Sequence, residues 1–191
     1  MFAYTPRYAR IGHAIMHISP LIVTLGLDAD TFTLIDTLRT RYFPPDRNIV
    51  PAHVSLFHYL PGEEDAFVLR ELRSIAADHA PLSLKLASLR RTGRGMAVSV
   101  ESSTLKTVRG DLARVFSAWL TPQDRQPFQP HVTLMNKSEP YIASLAFQEL
   151  RDSWSPRESV GESLLLWEYL GGPWSLRARY PFTGESGRVE V

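Results

Sequence analysis

Two short stretches of the chain alternate apolar and polar positions in the same way. In Ala52–Leu60, AHVSLFHYL, the alternation predicts a strand with Val54 and Leu56 on one face and His53, Ser55, Phe57 and Tyr59 on the other. In Gln129–Lys137, QPHVTLMNK, Val132 and Leu134 share one face, and His131, Thr133, Met135 and Lys137 the other. Around these stretches the pattern switches repeatedly between strand and helix periods. Leu21–Leu27, LIVTLGL, is nearly all apolar and predicts a buried central strand. Asp28 or Asp30 caps a helix striped by Ile35, Leu38 and Tyr42, which Pro44 and Pro45 stop. After the Pro61-Gly62 turn a second helix opens on Glu63, Glu64 and Asp65 and is striped by Val68, Leu72 and Ile75. Leu82–Leu89 alternates strictly, and Met96–Val100 returns as its hairpin partner across an Arg- and Gly-rich turn.

A third helix starts at Ser103 or Thr104, with Leu105, Val108, Leu112, Val115, Phe116 and Trp119 on one face. Thr121–Pro130 is a Pro- and Gln-rich loop. A fourth helix begins at Ser138-Glu139-Pro140 and turns Ile142, Leu145 and Leu150 inward. Leu164–Leu170 and Trp174–Tyr180 flank Gly171-Gly172-Pro173 as a terminal hairpin. Residues 1–19 mix aromatics with Arg and Pro without a period and read as an extension. Residues 183–191 read as a tail.

The order of elements repeats. Strand, helix, Pro-containing loop, His strand, helix, strand occurs once over about 20–90 and again over about 95–182. The two histidines stand 78 residues apart (131 − 53) and the leading strands, from Ile22 to Ala97, 75 apart (97 − 22). Such near-equal offsets predict a duplicated unit, whose equivalent strands would meet at a pseudo-two-fold axis.

Composition narrows the chemistry. With 191 residues, 44% hydrophobic and 21% charged, the chain suits one globular domain with a sizeable core. A net charge of +1 supplies no global field for nucleic acid, so any such contact must be local. The absence of cysteine removes disulfides, a thiol nucleophile and thiolate metal sites, and agrees with a cytoplasmic location. No apolar run approaches the roughly 20 residues of a membrane span. No zinc-site spacing, nucleophile elbow or phosphate loop is present, and neither metal nor cofactor is expected.

What remains is the pair of histidines. Two imidazoles across a cleft suit general acid–base work near neutral pH. Ser55 and Thr133, two residues beyond each histidine on the same face, could hold the non-bridging oxygens of a phosphate. Lys137 could add positive charge. The set fits a phosphodiester, which needs an activated nucleophile, a protonated leaving oxygen and neutralised charge.

The paired His-apolar-Ser/Thr-apolar tetrads in a duplicated frame resemble the 2H phosphoesterase superfamily, in its 2'-5' RNA ligase-like branch, over about residues 20–182. The resemblance implies an α+β fold, bilobal, with two antiparallel sheets around a central cleft and helices outside. It implies a monomeric enzyme without metal, opening 2',3'-cyclic phosphates on RNA ends or small cyclic nucleotides to 2'-phosphates. It also implies, by analogy, His131 as the base that activates water and His53 as the acid for the leaving 3'-oxygen. The alternatives are 2'-5' ligation of cleaved RNA and a nucleotide- or RNA-binding module without turnover. The first motif carries Ser55 where many members have Thr, which keeps the hydroxyl.

Other residues have two readings each. Arg90, Arg91 and Arg94 could grip an RNA backbone or could be a solvated hairpin tip. Phe57 and Tyr59 could stack on a base or pack in the core. Trp167, Tyr169 and Trp174 read as core. His58 falls on the Val54/Leu56 face and reads as a buried, hydrogen-bonded histidine. His79, at a helix end, reads as a dipole cap.

Overall fold

The computed structural model describes residues 7–11 and 14–185, with only the backbone of 7–11 and 14–17. Its elements follow the chain as β1 (Arg7–Ile11), β2 (Ala14–Ile18), β3 (Leu21–Leu27), α1 (Ala29–Tyr42), β4 (Val54–Leu60), α2 (Asp65–Asp78), β5 (Leu82–Arg91) and β6 (Met96–Glu101). There follow α3 (Ser103–Val115), β7 (His131–Met135), α4 (Pro140–Arg151), β8 (Arg157–Tyr169) and β9 (Trp174–Pro181). The extension expected at 1–19 contains the antiparallel β1–β2 pair, and the far end of the expected tail lies outside the described residues.

The expected division into two sheets is replaced by one continuous sheet. Its order is β3-β4-β7-β6-β5-β8-β9, every pairing is antiparallel, and β3 also pairs with β8. The first six strands therefore close into a barrel-like ring, with β9 attached to β8 outside it. The long β8 makes closure work: its first third pairs with β5, and from Gly161 onward it runs along β3. Exchanging β3 with β6, β4 with β7 and β5 with β8 maps the pairings of the ring onto themselves. At the centre of that exchange β4 meets β7, in the register Val54 opposite Val132.

Local signals explain most helix boundaries. The Asp28 carboxylate accepts the Thr31 amide at 2.8 Å to start α1, and the Ser102 hydroxyl accepts the Leu105 amide at 3.1 Å to start α3. α1 packs on β7, α2 on β8 and β9, and α3 and α4 on β5. The core joins these faces through Val23, Leu25, Ile35, Val54, Leu72, Leu84, Val98, Leu112, Val132 and Leu166. One helix is phased differently from its predicted stripe. In α4, Ile142 and Leu145 are exposed, whereas Ala143, Ala146 and Leu150 face the core. Among the described residues, no helix is long and apolar enough to cross a membrane.

Candidate active site

The β4–β7 pairing builds the site. One step either way from Val54 opposite Val132 sets His53 across from Thr133 and Ser55 across from His131. All four are half-buried, on the face away from the buried Val54, Val132 and Leu134. The two histidines are then diagonal neighbours, with backbones about 7–8 Å apart. The expected pairing of imidazole and hydroxyl is thus present, crossed between strands: each ring has the other motif's hydroxyl opposite it.

Both rings are oriented in the same way. His53 Nδ1 lies 2.7 Å from the Pro51 carbonyl oxygen, and His131 Nδ1 lies 2.9 Å from that of Gln129. A carbonyl only accepts, so each Nδ1 carries the proton, and each neutral ring keeps Nε2 as the free base. Both histidines use the carbonyl two residues back, in Pro51-Ala52-His53 and Gln129-Pro130-His131.

Their surroundings differ. The His53 ring packs 4.8 Å from that of Trp174, which in turn neighbours Trp167 at 6.1 Å. Trp167 is pinned by an Nε1 hydrogen bond of 2.8 Å to the Thr24 hydroxyl. Burial pushes the His53 imidazolium down to about 4. The Pro51 carbonyl opposes this, and the charges of Arg39, His58 and His131 add to it. His131 is also lowered, first by burial and then by the Arg90 and His58 charges, against the Gln129 carbonyl. His131 lines an open cavity of about 280 Å³ together with Ser55, His58, Arg90, Asp124, Gln126 and Phe128, among others.

A folded His53 near 4 has a consequence for stability. Between about 4 and the ordinary imidazole value of 6.5, the unfolded chain binds a proton that the fold rejects. Stability from this group is therefore complete above 6.5 and lost as pH falls toward 4, by on the order of 3 kcal/mol. The urea midpoint should fall across this window, and His53→Gln should flatten the fall. Equal slopes for the two proteins would show that His53 titrates normally.

β4 departs from strict alternation. Its register with β3 slips between Thr24 opposite Ser55 and Val23 opposite Phe57, and slips again before Leu21 opposite Leu60. The extra residue turns both Leu56 and Phe57 into the core. Phe57 is fully buried, edge-on to Phe116 at 5.4 Å, and unavailable for stacking on a base. The same slip brings His58, expected in the core, to the cleft, where its side chain is 45% exposed. Tyr59 is half-buried and does not line the cavity.

Of the three hairpin arginines, only Arg90 reaches the cavity, with a 3.3 Å contact from Nη1 to Gln129 Oε1. Arg91 lies over the Phe147 ring of α4. Arg94 donates to the Ser138 carbonyl at 2.9 Å and to Glu139 at 3.1 Å, fastening the hairpin tip to the start of α4. Lys137 stands beyond the end of β7 with a φ of 55°, exposed and off the strand face on which it was expected. Gly95 is required where that turn passes, since a Cβ there would sit 2.0 Å from the Met135 carbonyl oxygen.

Three buried charged residues hold the arrangement. From α1, Arg39 donates to the Thr133 carbonyl at 2.7 Å, the Val50 carbonyl at 2.7 Å and Asn48 Oδ1 at 2.8 Å. From α3, Arg109 donates to the Leu56 carbonyl and the Asp124 carbonyl, both at 2.7 Å, and lies 3.8 Å over the Phe57 ring. Each arginine ties its own half's loop leading to a histidine to the other half's histidine strand. Asp124, its side chain 1% exposed, accepts from the His58 amide at 3.1 Å and from His58 Nδ1 at 2.9 Å. Its Oδ2 accepts the Thr121 hydroxyl at 2.7 Å. Burial opposes the charge on Asp124, but the His58 and Thr121 hydrogen bonds outweigh it and hold the carboxyl below its usual range. Sequence reasoning passed over all three. Arg39 and Arg109 did leave a signal, each four residues beyond a stripe residue, Ile35 and Leu105, on an otherwise apolar face.

A family model described as the 2'-5' RNA ligase superfamily matches residues 27–173, which include every strand of the ring except β3, and both histidine tetrads. The chain belongs to the 2'-5' RNA ligase superfamily. Solved structures with the superfamily fold are similar to it over most of the chain. TT0787 of Thermus thermophilus matches with a TM-score of 0.61 at 17% identity, covering 87% of this chain and 99% of that one. E. coli LigT complexed with 3'-AMP matches with a TM-score of 0.58 at 16% identity, covering 86% and 98%. E. coli LigT complexed with phosphate matches with a TM-score of 0.55 at 18% identity, covering 86% and 99%. Comparison with curated protein sequences gives no match.

Proposed function

We propose that this superfamily member is a phosphodiesterase that opens 2',3'-cyclic phosphates, on RNA ends or small cyclic nucleotides, to 2'-phosphates. The observation that carries the reading is the matched orientation of His53 and His131. Each has Nδ1 spent on a carbonyl two residues back and Nε2 free, on adjoining strands with a hydroxyl opposite. A cyclic phosphate seated between the rings places its non-bridging oxygens within reach of Ser55 and Thr133. Water attacks phosphorus, its proton passes to one Nε2, and the bond to the 3'-oxygen breaks. The other ring, protonated, gives its proton to that oxygen.

The environments favour an order of roles opposite to the one drawn by analogy. His53, walled by Trp174 and held neutral at pH 7, suits the base. His131, open to the cavity, can recharge from solvent and suits the acid, and a bound anionic phosphate favours its protonated form. The ligands of E. coli LigT, 3'-AMP and phosphate, are of the chemistry this requires. We read the unit as a duplication spanning about 20–182, in line with the exchange symmetry of the ring.

The experiment is a panel of 2',3'-cyclic nucleotides and cyclic-phosphate-ended RNAs, assayed in EDTA with the product phosphate located. Release of 2'-phosphates at an EDTA-independent rate is the expected result. No turnover of any member, or release of 3'-phosphates, would overturn the reading. The superfamily's description favours one second reading, 2'-5' ligation, in which a ribose hydroxyl replaces water in the same exchange. Adding RNA with a free 5'-hydroxyl to the panel tests it.

A further inference from the structure

The cavity beside His131 has more built into it than the exchange at phosphorus uses. His58 reaches it through the β4 slip and is fixed there by a carboxylate that is itself fully enclosed. Every visible commitment of Asp124 serves that purpose: Oδ1 takes the His58 amide and Nδ1, Oδ2 takes the Thr121 hydroxyl, and its backbone carbonyl takes Arg109. With Nδ1 committed, the His58 ring has Nε2 left for the cavity. Arg90 enters from β5, its Nη1 on Gln129 and its Nε buried with no hydrogen-bond partner among the described residues. A guanidinium with unspent donors and a rigidly aimed imidazole thus line one space, whose single carboxylate is already saturated.

We infer that this cavity is a second phosphate subsite, which takes the 5'-phosphate of the nucleotide whose cyclic phosphate lies between His53 and His131. The inference rests on the reading of the cleft given above. His58 follows Ser55 by three residues, at most about 10 Å of strand, which one nucleotide unit spans from its 2',3' edge to its 5' side. Arg90 supplies paired donors to the anion. With Nδ1 on Asp124 and Nε2 toward the cavity, His58 stands between Asp124 and the incoming phosphate. The preferred substrate is therefore a nucleotide phosphorylated at its 5' side, as every internal residue of an RNA strand is, in preference to a cyclic nucleotide ending in a 5'-hydroxyl.

The test compares adenosine 2',3'-cyclic phosphate with the same compound carrying a 5'-phosphate. The wild type is expected to favour the 5'-phosphorylated compound by about tenfold or more in kcat/KM, with the gain in KM. Arg90→Gln and His58→Gln, checked for an unchanged thermal midpoint, are each expected to bring the ratio of the two substrates to within about twofold. Equal kcat/KM values in the wild type overturn the inference, as does a preference that survives both substitutions. A preference that follows the nucleobase and ignores the 5'-phosphate also overturns it. A binding arm separates this subsite from the catalytic reading. By equilibrium dialysis, adenosine 3',5'-bisphosphate is expected to bind about tenfold tighter than adenosine 3'-monophosphate, and Arg90→Gln to remove the difference. If that holds where no cyclic phosphate is turned over, the subsite stands and the phosphodiesterase reading falls. A bisphosphate that binds no tighter removes the subsite whatever the turnover.

Discussion

Replacing either His53 or His131 by alanine is expected to lower kcat on a 2',3'-cyclic nucleotide by about 10²- to 10⁴-fold, the usual worth of a positioned proton donor or acceptor. In the proposed mechanism the two rings act on one phosphorus at the same moment, so the double variant should lose little more than the worse of the two singles. Folding should survive both changes, because each ring is half-buried at the edge of the core and hydrogen-bonds only to a neighbouring carbonyl. The pH dependence separates the roles. If His53 is the base, the acidic limb of kcat/KM, which reports the free enzyme, belongs to a group held near 4 and lies well below that of a solvated imidazole. Rates measured for both variants with a cyclic nucleotide, with circular dichroism as the folding control, decide the matter. Most of the activity surviving either substitution would leave the cleft without its chemistry.

The second large effect is expected at Arg39. Its guanidinium is buried, 2% exposed, and serves three oxygen acceptors from two parts of the chain. Arg39→Ala takes the guanidinium donors from the Thr133 and Val50 carbonyls, both in half-buried residues. Part of that cost returns because a buried charge without an adjacent carboxylate is also removed. The net loss should be on the order of 2–4 kcal/mol, read as a lower urea midpoint. Arg39→Lys should recover little, since one ammonium cannot cover three acceptors lying in different directions. Turnover should fall as well, with the loss in kcat: the Val50 tie holds the loop carrying His53, and the Thr133 tie holds the strand carrying His131. Arg109→Ala should act alike, through Leu56 and Asp124. An unchanged midpoint for both alanine variants would mean that the cross-ties are idle.

These two expectations differ in how visible they are in the amino-acid order. The histidines announce themselves. A tetrad of imidazole, apolar, hydroxyl, apolar alternates over so short a distance that a strand must put ring and hydroxyl on one face. The same tetrad 78 residues later implies a matching strand (131 − 53). The helices are equally legible, because Asp28 and Ser102 cap them and Ile35, Val68, Leu72, Leu105 and Leu112 repeat at helical spacing and are buried.

The misjudged positions share one cause. Phe57, His58, Ile142 and Leu145 were assigned by extending a period past the point where a partner resets it. On β4 the reset is one extra residue between Ser55 and Phe57, which pair with the consecutive Thr24 and Val23 of β3. No property of the segment Leu56–Tyr59 alone reveals that extra residue, because a bulge is a relation between two strands. On α4 the apolar residues Ile142 and Leu145 are exposed because alanines let the helix approach the sheet closely.

Periodicity and capping are local physics, and they sufficed here to specify the elements from β3 onward, their order and the two histidine motifs. Closure of the sheet into a single ring, the crossed placement of each histidine against the other motif's hydroxyl, and the enclosure of Arg39, Arg109 and Asp124 came only with packing. The reason is range: side-chain alternation is decided within a few residues, whereas strand register and the desolvation of a charge depend on groups brought from as far away as Arg39 is from Thr133, 94 positions along the chain.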